Sequence, residues 1–348
     1  MSLIRKALFA TAAMGLAVAV TLACLLATDV YLHRRVQNTG SVNVWGYRGP
    51  VVGHKPAGTI RIVVLGGSTA FGYGVPYTEA FPYYLEQMLN ARAGRAKYQV
   101  VNLGAPAQGA FGLRFDLADY AYLHYDVAIL YEGYNDLGRT DLPNAVPPRD
   151  APNDLLWRRQ SPIFRATGYF PVLPLVFREK AMLLASGGHL DAAYRGKTVF
   201  RPNLATRVTA DALQTAAAVA ESVGSTIGRL SGDPAQAARS TTLDTVSWRH
   251  YTDRIADAVR FARSRSVEVI VVTQPYASDT HVAQQRALVH MLETEFGADA
   301  GVQYVNLGPS IDLRDRALAY DGLHLVAKGN ERVAAGLVAP VLKMTTAS

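Results

Sequence analysis

Residues 59–69 read TIRIVVLGGST. A β-branched apolar run, Thr59 to Leu65, meets Gly66, Gly67 and Ser68 without an intervening polar residue. Such a run, closed by glycine, predicts a strand buried on both faces. In a parallel α/β sheet, ligands collect at the carboxyl ends of the strands. A serine placed there has an exposed hydroxyl, and the glycines permit a tight strand-to-loop turn. Alone, the stretch reads as a Gly-Ser turn with no chemistry. A phosphate-cradling loop is disfavoured, because the Gly-Lys-Ser/Thr ending is missing.

Four further strands follow the same pattern: Tyr98 to Leu103 (YQVVNL), Asp126 to Tyr131 (DVAILY), Val267 to Thr273 (VEVIVVT) and Val302 to Leu307 (VQYVNL). Helical spacing lies between most of them. Phe81, Tyr84, Leu85, Met88 and Leu89 form one helix face, with Pro82 suited to the first turn. Tyr251, Ile255, Ala258, Val259 and Ala262 form another, and Asn330 to Leu342 a C-terminal helix. Five apolar strands alternating with helices predict a parallel sheet covered on both faces.

From about Thr140 to Ser247 the rhythm breaks, which reads as an insertion within one domain. It opens with a Pro-rich stretch, Pro143 to Pro152, and holds one helical pattern, Leu213 to Leu230. Its apolar patch, Tyr169 to Phe177, can line an acyl pocket or touch a bilayer, and ordinary core is the plain alternative.

The chain has 348 residues, enough for one large α/β domain or two small ones. Its single cysteine, Cys24, excludes an intrachain disulfide. The net charge is +7, but the basic residues are scattered. With no zinc-finger spacing, RNP-like motif or basic stripe, nucleic acid is not an expected partner. Ala7 to Thr28 is almost entirely apolar and long enough to span a hydrocarbon core of about 30 Å. Arg5 and Lys6 precede it, and His33, Arg34 and Arg35 follow. An uncleaved signal anchor is expected, since the run exceeds a signal-peptide core and a basic flank closes it. A cleaved signal peptide lacks a clean Ala-x-Ala site here. Thr21-Leu22-Ala23 before Cys24 is a poor lipoprotein match. The positive-inside count is nearly even.

Three more polar motifs end strands. Asn102-Leu103-Gly104-Ala105-Pro106 can aim the Gly104 N–H into a site, though alone it is an ordinary turn. In Glu132-Gly133-Tyr134-Asn135-Asp136 the Asn135 amide can donate to an oxyanion, though an Asn-Asp pair is more often a turn or cap. Asp321-Gly322-Leu323-His324 lets a carboxylate meet one imidazole nitrogen and leaves the other for a serine. Nucleophile, base and orienting carboxylate form the working set for acyl transfer from an ester. Together the motifs fall at one edge of one predicted sheet, an agreement less expected by chance than any motif alone.

In this order the residues resemble the SGNH or GDSL hydrolase family. Gly66-Gly67-Ser68-Thr69 matches its first block, Gly104 the glycine of the second, Gly133-Tyr134-Asn135-Asp136 the third, and Asp321-x-x-His324 the last. The aspartate usual before the serine is Gly67 here. The resemblance implies a flavodoxin-like three-layer αβα sandwich with a five-stranded parallel sheet and no metal or cofactor. The apolar run and its basic flanks read as a transmembrane anchor with flanks, residues 1–35, and the Gly- and Pro-rich residues 36–58 as a linker. The resemblance covers roughly residues 58 to 342 apart from the insertion, and implies 59–345 as the hydrolase domain with its insertion at about 140–247. It implies Ser68 as nucleophile, His324 as base and Asp321 as its partner, with an oxyanion hole from the Ser68 N–H, the Gly104 N–H and the Asn135 side chain. An α/β-hydrolase elbow, Gly66-x-Ser68-x-Ala70, fits less well, because that fold places its serine after several strands.

The expected function is ester hydrolysis on an acylated glycan or lipid, by a single-pass protein of the inner membrane with an extracytoplasmic catalytic domain. The alternatives are an O-acyltransferase on a cell-surface polysaccharide using the same serine, and a non-catalytic glycan-binding protein.

Overall fold

The computed structural model describes residues 3–36, 42–95, 97–137, 158–159, 161–177 and 248–346. The Pro-rich stretch and the helical pattern at Leu213 to Leu230 lie outside them. Five strands form one parallel sheet: β1 (Ile60–Gly66), β2 (Tyr98–Asn102), β3 (Val127–Tyr131), β4 (Glu268–Thr273) and β5 (Val302–Asn306). Their order is β2-β1-β3-β4-β5, so the winding reverses beside β1. Crevices at such a reversal, outside the carboxyl ends, are where α/β sheets bind ligands.

The helices are α1 (Leu3–Val36), α2 (Ser68–Phe71), α3 (Phe81–Ala93), α4 (Leu113–Asp119), α5 (Pro162–Thr167), α6 (Arg249–Arg263), α7 (Asp279–Phe296) and α8 (Ala327–Thr346). Alternation along β1 explains the three layers. Ile62 and Val64 face a core completed by Leu85 and Leu89 of α3 and by Leu337 and Val341 of α8. Val63 and Leu65 face the opposite core, with Leu117 of α4, Ile255 and Val259 of α6, and Leu288 of α7. Each such side chain gains about 1.5–3 kcal/mol by leaving water, which ties both helical layers to one sheet.

Residues 42–48 correct the expected linker. Val42, Asn43, Tyr47 and Arg48 are buried, and Arg48 pairs antiparallel with Asn102 at the end of β2. The Gly46 and Gly49 φ angles of 75° and 91° mark tight turns in a folded segment. Glycine richness was a signal of sharp turning here, and carried no information about slack.

Helix α1 is long and apolar enough to cross a membrane, as an anchor or a signal sequence would be. Its 34 residues exceed the roughly 20 that a crossing needs, and the surplus docks on the domain. Asp29 is buried, accepts from the Leu173 N–H at 2.6 Å, and also accepts from the Tyr169 hydroxyl. The two ring nitrogens of His33 lie 3.1 and 2.7 Å from the Val42 and Phe170 carbonyl oxygens. Phe170 and Val172 of the apolar patch are buried in the domain core, whereas Phe177 is exposed.

Replacing Asp29 with Ala in the full chain removes two donors' acceptor. Amide exchange at Leu173 is expected to rise about tenfold or more, as losing its buried acceptor implies, with the sheet still protected. Hydrogen exchange read by mass spectrometry in detergent checks this. Unchanged exchange would show that the segment holds without the helix.

Candidate active site

Strand β1 ends where β3 ends, and the two backbones touch. Gly66 has φ 153°, and a Cβ there would stand 2.0 Å from the Tyr131 carbonyl oxygen. Gly67 then caps α2, which Gly72 stops after four residues in the left-handed conformation. Ser68 is thus the first residue of a one-turn helix. Its N–H has no acceptor among the described residues, as expected for a leading helical N–H.

The last motif sits in a tight loop after β5. The Tyr320 N–H donates to the His324 carbonyl at 3.1 Å, and Ala319 bridges Leu325. Asp321 Oδ1 accepts from the Leu323 and His324 N–H groups at 3.0 and 2.7 Å. That aims Oδ2 at His324 Nδ1, 2.6 Å away. His324 Nε2 lies 2.8 Å from Ser68 Oγ. Burial opposes ionisation of Asp321, but the His324 ring and the two backbone N–H groups outweigh it and hold the carboxyl below its usual range. The His324 ring is stacked on Tyr320 at 5.9 Å and tilted against Tyr73 at 5.2 Å between centroids. The Tyr320 hydroxyl donates to the Tyr73 carbonyl at 3.2 Å.

Asn135 reaches the same place from the end of β3. Its Nδ2 stands 2.1 Å from where a Gly67 Cβ would be. It donates to the Gln108 carbonyl at 2.8 Å and, more loosely, to Glu132 Oε1 at 3.3 Å.

Gly104 does not join this group as expected. Its N–H donates to Asn102 Oδ1 at 2.9 Å, and a Cβ on it would meet the Phe71 N at 2.5 Å. Its smallness lets the far end of α2 pack down, and its donor is already used. Three residues on, Ala107 occupies a turn closed by the Gln108 N–H on the Ala105 carbonyl at 3.2 Å, with φ 61°. Pro106 and a positive φ at the next residue are the features of a type II turn. Ala107 is exposed, and its N–H has no acceptor among the described residues.

Two polar supports escaped sequence reasoning. Gln274, directly after β4, donates to the Thr69 hydroxyl at 2.8 Å and accepts from the Tyr134 N–H at 3.1 Å, so it links α2 to the Asn135 turn. Arg158, buried, contacts Asp116 at 3.0 Å and donates to the Leu103 and Gly104 carbonyls. Asp116 also accepts from Gln108, so the insertion is pinned to the loop behind Asn135. Burial pushes the Asp116 carboxyl up to about 6, against the pull of Arg158. Among the described residues no group of three or more His, Cys, Asp or Glu side chains is placed to hold a metal ion.

No protein-family model matches the chain, and no curated protein matches it. Several solved structures are similar to it. One is a member of the lipolytic protein G-D-S-L family from Veillonella parvula DSM 2008, at TM-score 0.41 and 10% identity over 81% of this chain and 97% of that one. Another is the psychrotrophic esterase EstA from Pseudoalteromonas sp., at 0.42 and 10% over 82% and 98%. A third is a catalytic mutant of an acetylxylan esterase from Geobacillus stearothermophilus, at 0.42 and 12% over 83% and 94%. At such identities and scores no residue role transfers from them.

The two glycines before Ser68 should respond differently to a methyl group. Gly66→Ala meets backbone, and is expected to cost about 3 kcal/mol or more. Gly67→Ala meets the end of the Asn135 side chain, which can swing, and should cost less than about 1.5 kcal/mol. Chemical denaturation of both variants in detergent checks the difference. Equal losses would mean the strand ends are not in contact.

Proposed function

We propose that this chain is a serine ester hydrolase of the SGNH/GDSL type. The observation that carries this is the continuous hydrogen-bonded line from Asp321 through His324 to the Ser68 hydroxyl. Ser68 Oγ attacks the ester carbonyl carbon as its proton passes to His324 Nε2. The carbonyl oxygen becomes an oxyanion. As the C–O bond breaks, the leaving alkoxide takes that proton and departs as an alcohol, giving an acyl-serine. Water repeats the sequence, releasing the acid and restoring Ser68. Asp321 keeps the imidazole proton on Nδ1 and steadies the imidazolium.

The oxyanion would be met by the Ser68 N–H and the Asn135 amide. The Ala107 N–H, exposed in its turn, is a better third donor than Gly104, whose N–H serves Asn102. The half-buried Tyr73 ring beside His324 suits an alcohol carried on a bulky group, in keeping with an acylated glycan or lipid. Helix α1 would be an uncleaved anchor in the cytoplasmic membrane, with the catalytic domain on its outer side.

The test is p-nitrophenyl acetate hydrolysis by the detergent-purified chain. Ser68→Ala should abolish turnover. Asn135→Ala should lower kcat by about 10²–10³, the usual loss for one oxyanion donor. Gly67→Ala should approach that loss by displacing the same amide. A Ser68→Ala rate equal to wild type would sink the proposal. An acyl-enzyme that decays faster with added sugar than in water would instead mark an acyltransferase on a surface polysaccharide, built on the same serine.

A further inference from the structure

Glu132 lies directly beneath the serine loop and has no part in the chemistry above. It is fully enclosed, 1% exposed. Its Oε1 accepts from the Gly133 N–H at 3.0 Å and from Asn135 Nδ2 at 3.3 Å. Its Oε2 has no hydrogen-bond partner among the described residues. It stands 3.0 Å from the point a Gly67 Cβ would occupy. The titratable groups around it are Asp136 on the following turn, Tyr131 on its own strand, Tyr134 on the turn, and Tyr251 of α6, whose hydroxyl donates to the Glu132 backbone carbonyl at 2.8 Å. Burial raises all three phenols, so they are neutral. Among the described residues no cation acts on it, and Asp136 is a second buried carboxyl.

We propose that Glu132 is a positioning residue for this site, an uncharged carboxyl that steadies the Asn135 amide without competing for its second N–H. The inference rests on the esterase reading. Asn135 has two amide hydrogens. The Gln108 carbonyl holds one at 2.8 Å. The other must be free to turn to the oxyanion. A neutral carboxyl is a weak acceptor for it, and the 3.3 Å contact fits such a loose hold. An ionised Glu132 would bind that hydrogen roughly twice as strongly. It would also set a negative charge under the developing oxyanion in a site of low dielectric. A neutral Glu132 would hold its hydrogen on Oε2, the oxygen that accepts from no N–H among the described residues. Burial first, and Asp136 second, push this carboxyl up to about 8, against weaker hydrogen bonds from Gly133 and Asn135. Activity should therefore fall as pH rises through that value.

The experiment is a kcat–pH profile for the detergent-purified full chain, its Glu132→Gln variant and its Glu132→Ala variant, on p-nitrophenyl acetate. Glutamine copies the neutral acid and cannot ionise. It should keep kcat within about threefold at pH 7 and lose the alkaline fall, since its amide oxygen still accepts from Gly133. Glu132→Ala leaves the Asn135 amide unsupported and should lose about tenfold to 10², less than removal of Asn135 itself. A role confined to folding would lower kcat alike at every pH and leave the shape of the profile unchanged. Independently of turnover, infrared difference spectra of the Ser68→Ala chain should show a buried protonated-carboxyl band that vanishes on raising the pH through about 8 and is absent from Ser68→Ala/Glu132→Gln. Three results would overturn the inference: a wild-type profile flat to pH 9.5, the same alkaline fall in Glu132→Gln, or no such band. Absence of any Ser68-dependent turnover would remove the esterase reading itself and this inference with it.

Discussion

Everything at this site depends on two adjacent glycines, the first closed in by backbone and the second by the Asn135 side chain. The exit of β1 passes so close to the exit of β3 that the Tyr131 carbonyl fills the space of a Gly66 Cβ, and the Asn135 amide fills that of Gly67, at 2.0 and 2.1 Å. Removing both Cβ atoms brings a hydroxyl, an amide and a buried carboxyl together from two strands. The pairing of β1 with β3 sets the register, with Gly66 opposite Tyr131. The core on each side then holds that register, because slipping by one residue would turn Ile62 and Val64 toward the wrong helices. Packing far from the chemistry thus decides the distance between Ser68 and Asn135.

The same constraint places an acidic group next to the serine loop, since Glu132 rises from the end of β3 with its Oε2 3.0 Å from the position of a Gly67 Cβ. The polar floor continues outward through Gln274, Gln284 and Gln285, which bond to Thr69, to the Gly133 carbonyl and to one another. Uncharged amides serve here because each offers donors and acceptors without the desolvation cost of an ion.

Much of this was legible in the sequence, for identifiable reasons. Strands β1, β3 and β4 announce themselves because both their faces are buried, and the edge strands β2 and β5 by their apolar, β-branched runs. Asp321 and His324 are legible because three-residue spacing on one loop is enough to pair them. Their contact with Ser68 followed from placing all three at carboxyl ends of strands. Gly104 was misread because a glycine after a strand serves either a free N–H or a close approach, and the residues alone do not distinguish them. Ala107 was overlooked because alanine does not advertise a positive φ. Gln274 has no spacing partner, and Arg158 reaches the site across 54 residues of chain to Gly104. The docking of α1 was missed for a different reason. Asp29 and His33 are one helical turn apart, but His33 was read as part of a basic membrane flank and Asp29 was not singled out.

Two carboxyls of the site bind protons in opposite senses, and this bounds where the fold is most stable. Asp321 is held below its usual range by His324 and two N–H groups. Its stabilising contribution is present above the ordinary carboxylate range and is lost as pH falls through its folded value. Glu132 is displaced upward by burial and by Asp136, to about 8. Its contribution is full below the ordinary carboxyl range and is lost as pH rises through about 8. At neutral pH the fold is therefore already holding Glu132 in a form that the unfolded chain would abandon. Such a group persists only where the surroundings over-determine it, and buried polar groups of this kind gather where they serve function. The helices on both faces of the sheet offset that loss, and on the proposed esterase reading the gain is an amide kept free to meet the oxyanion.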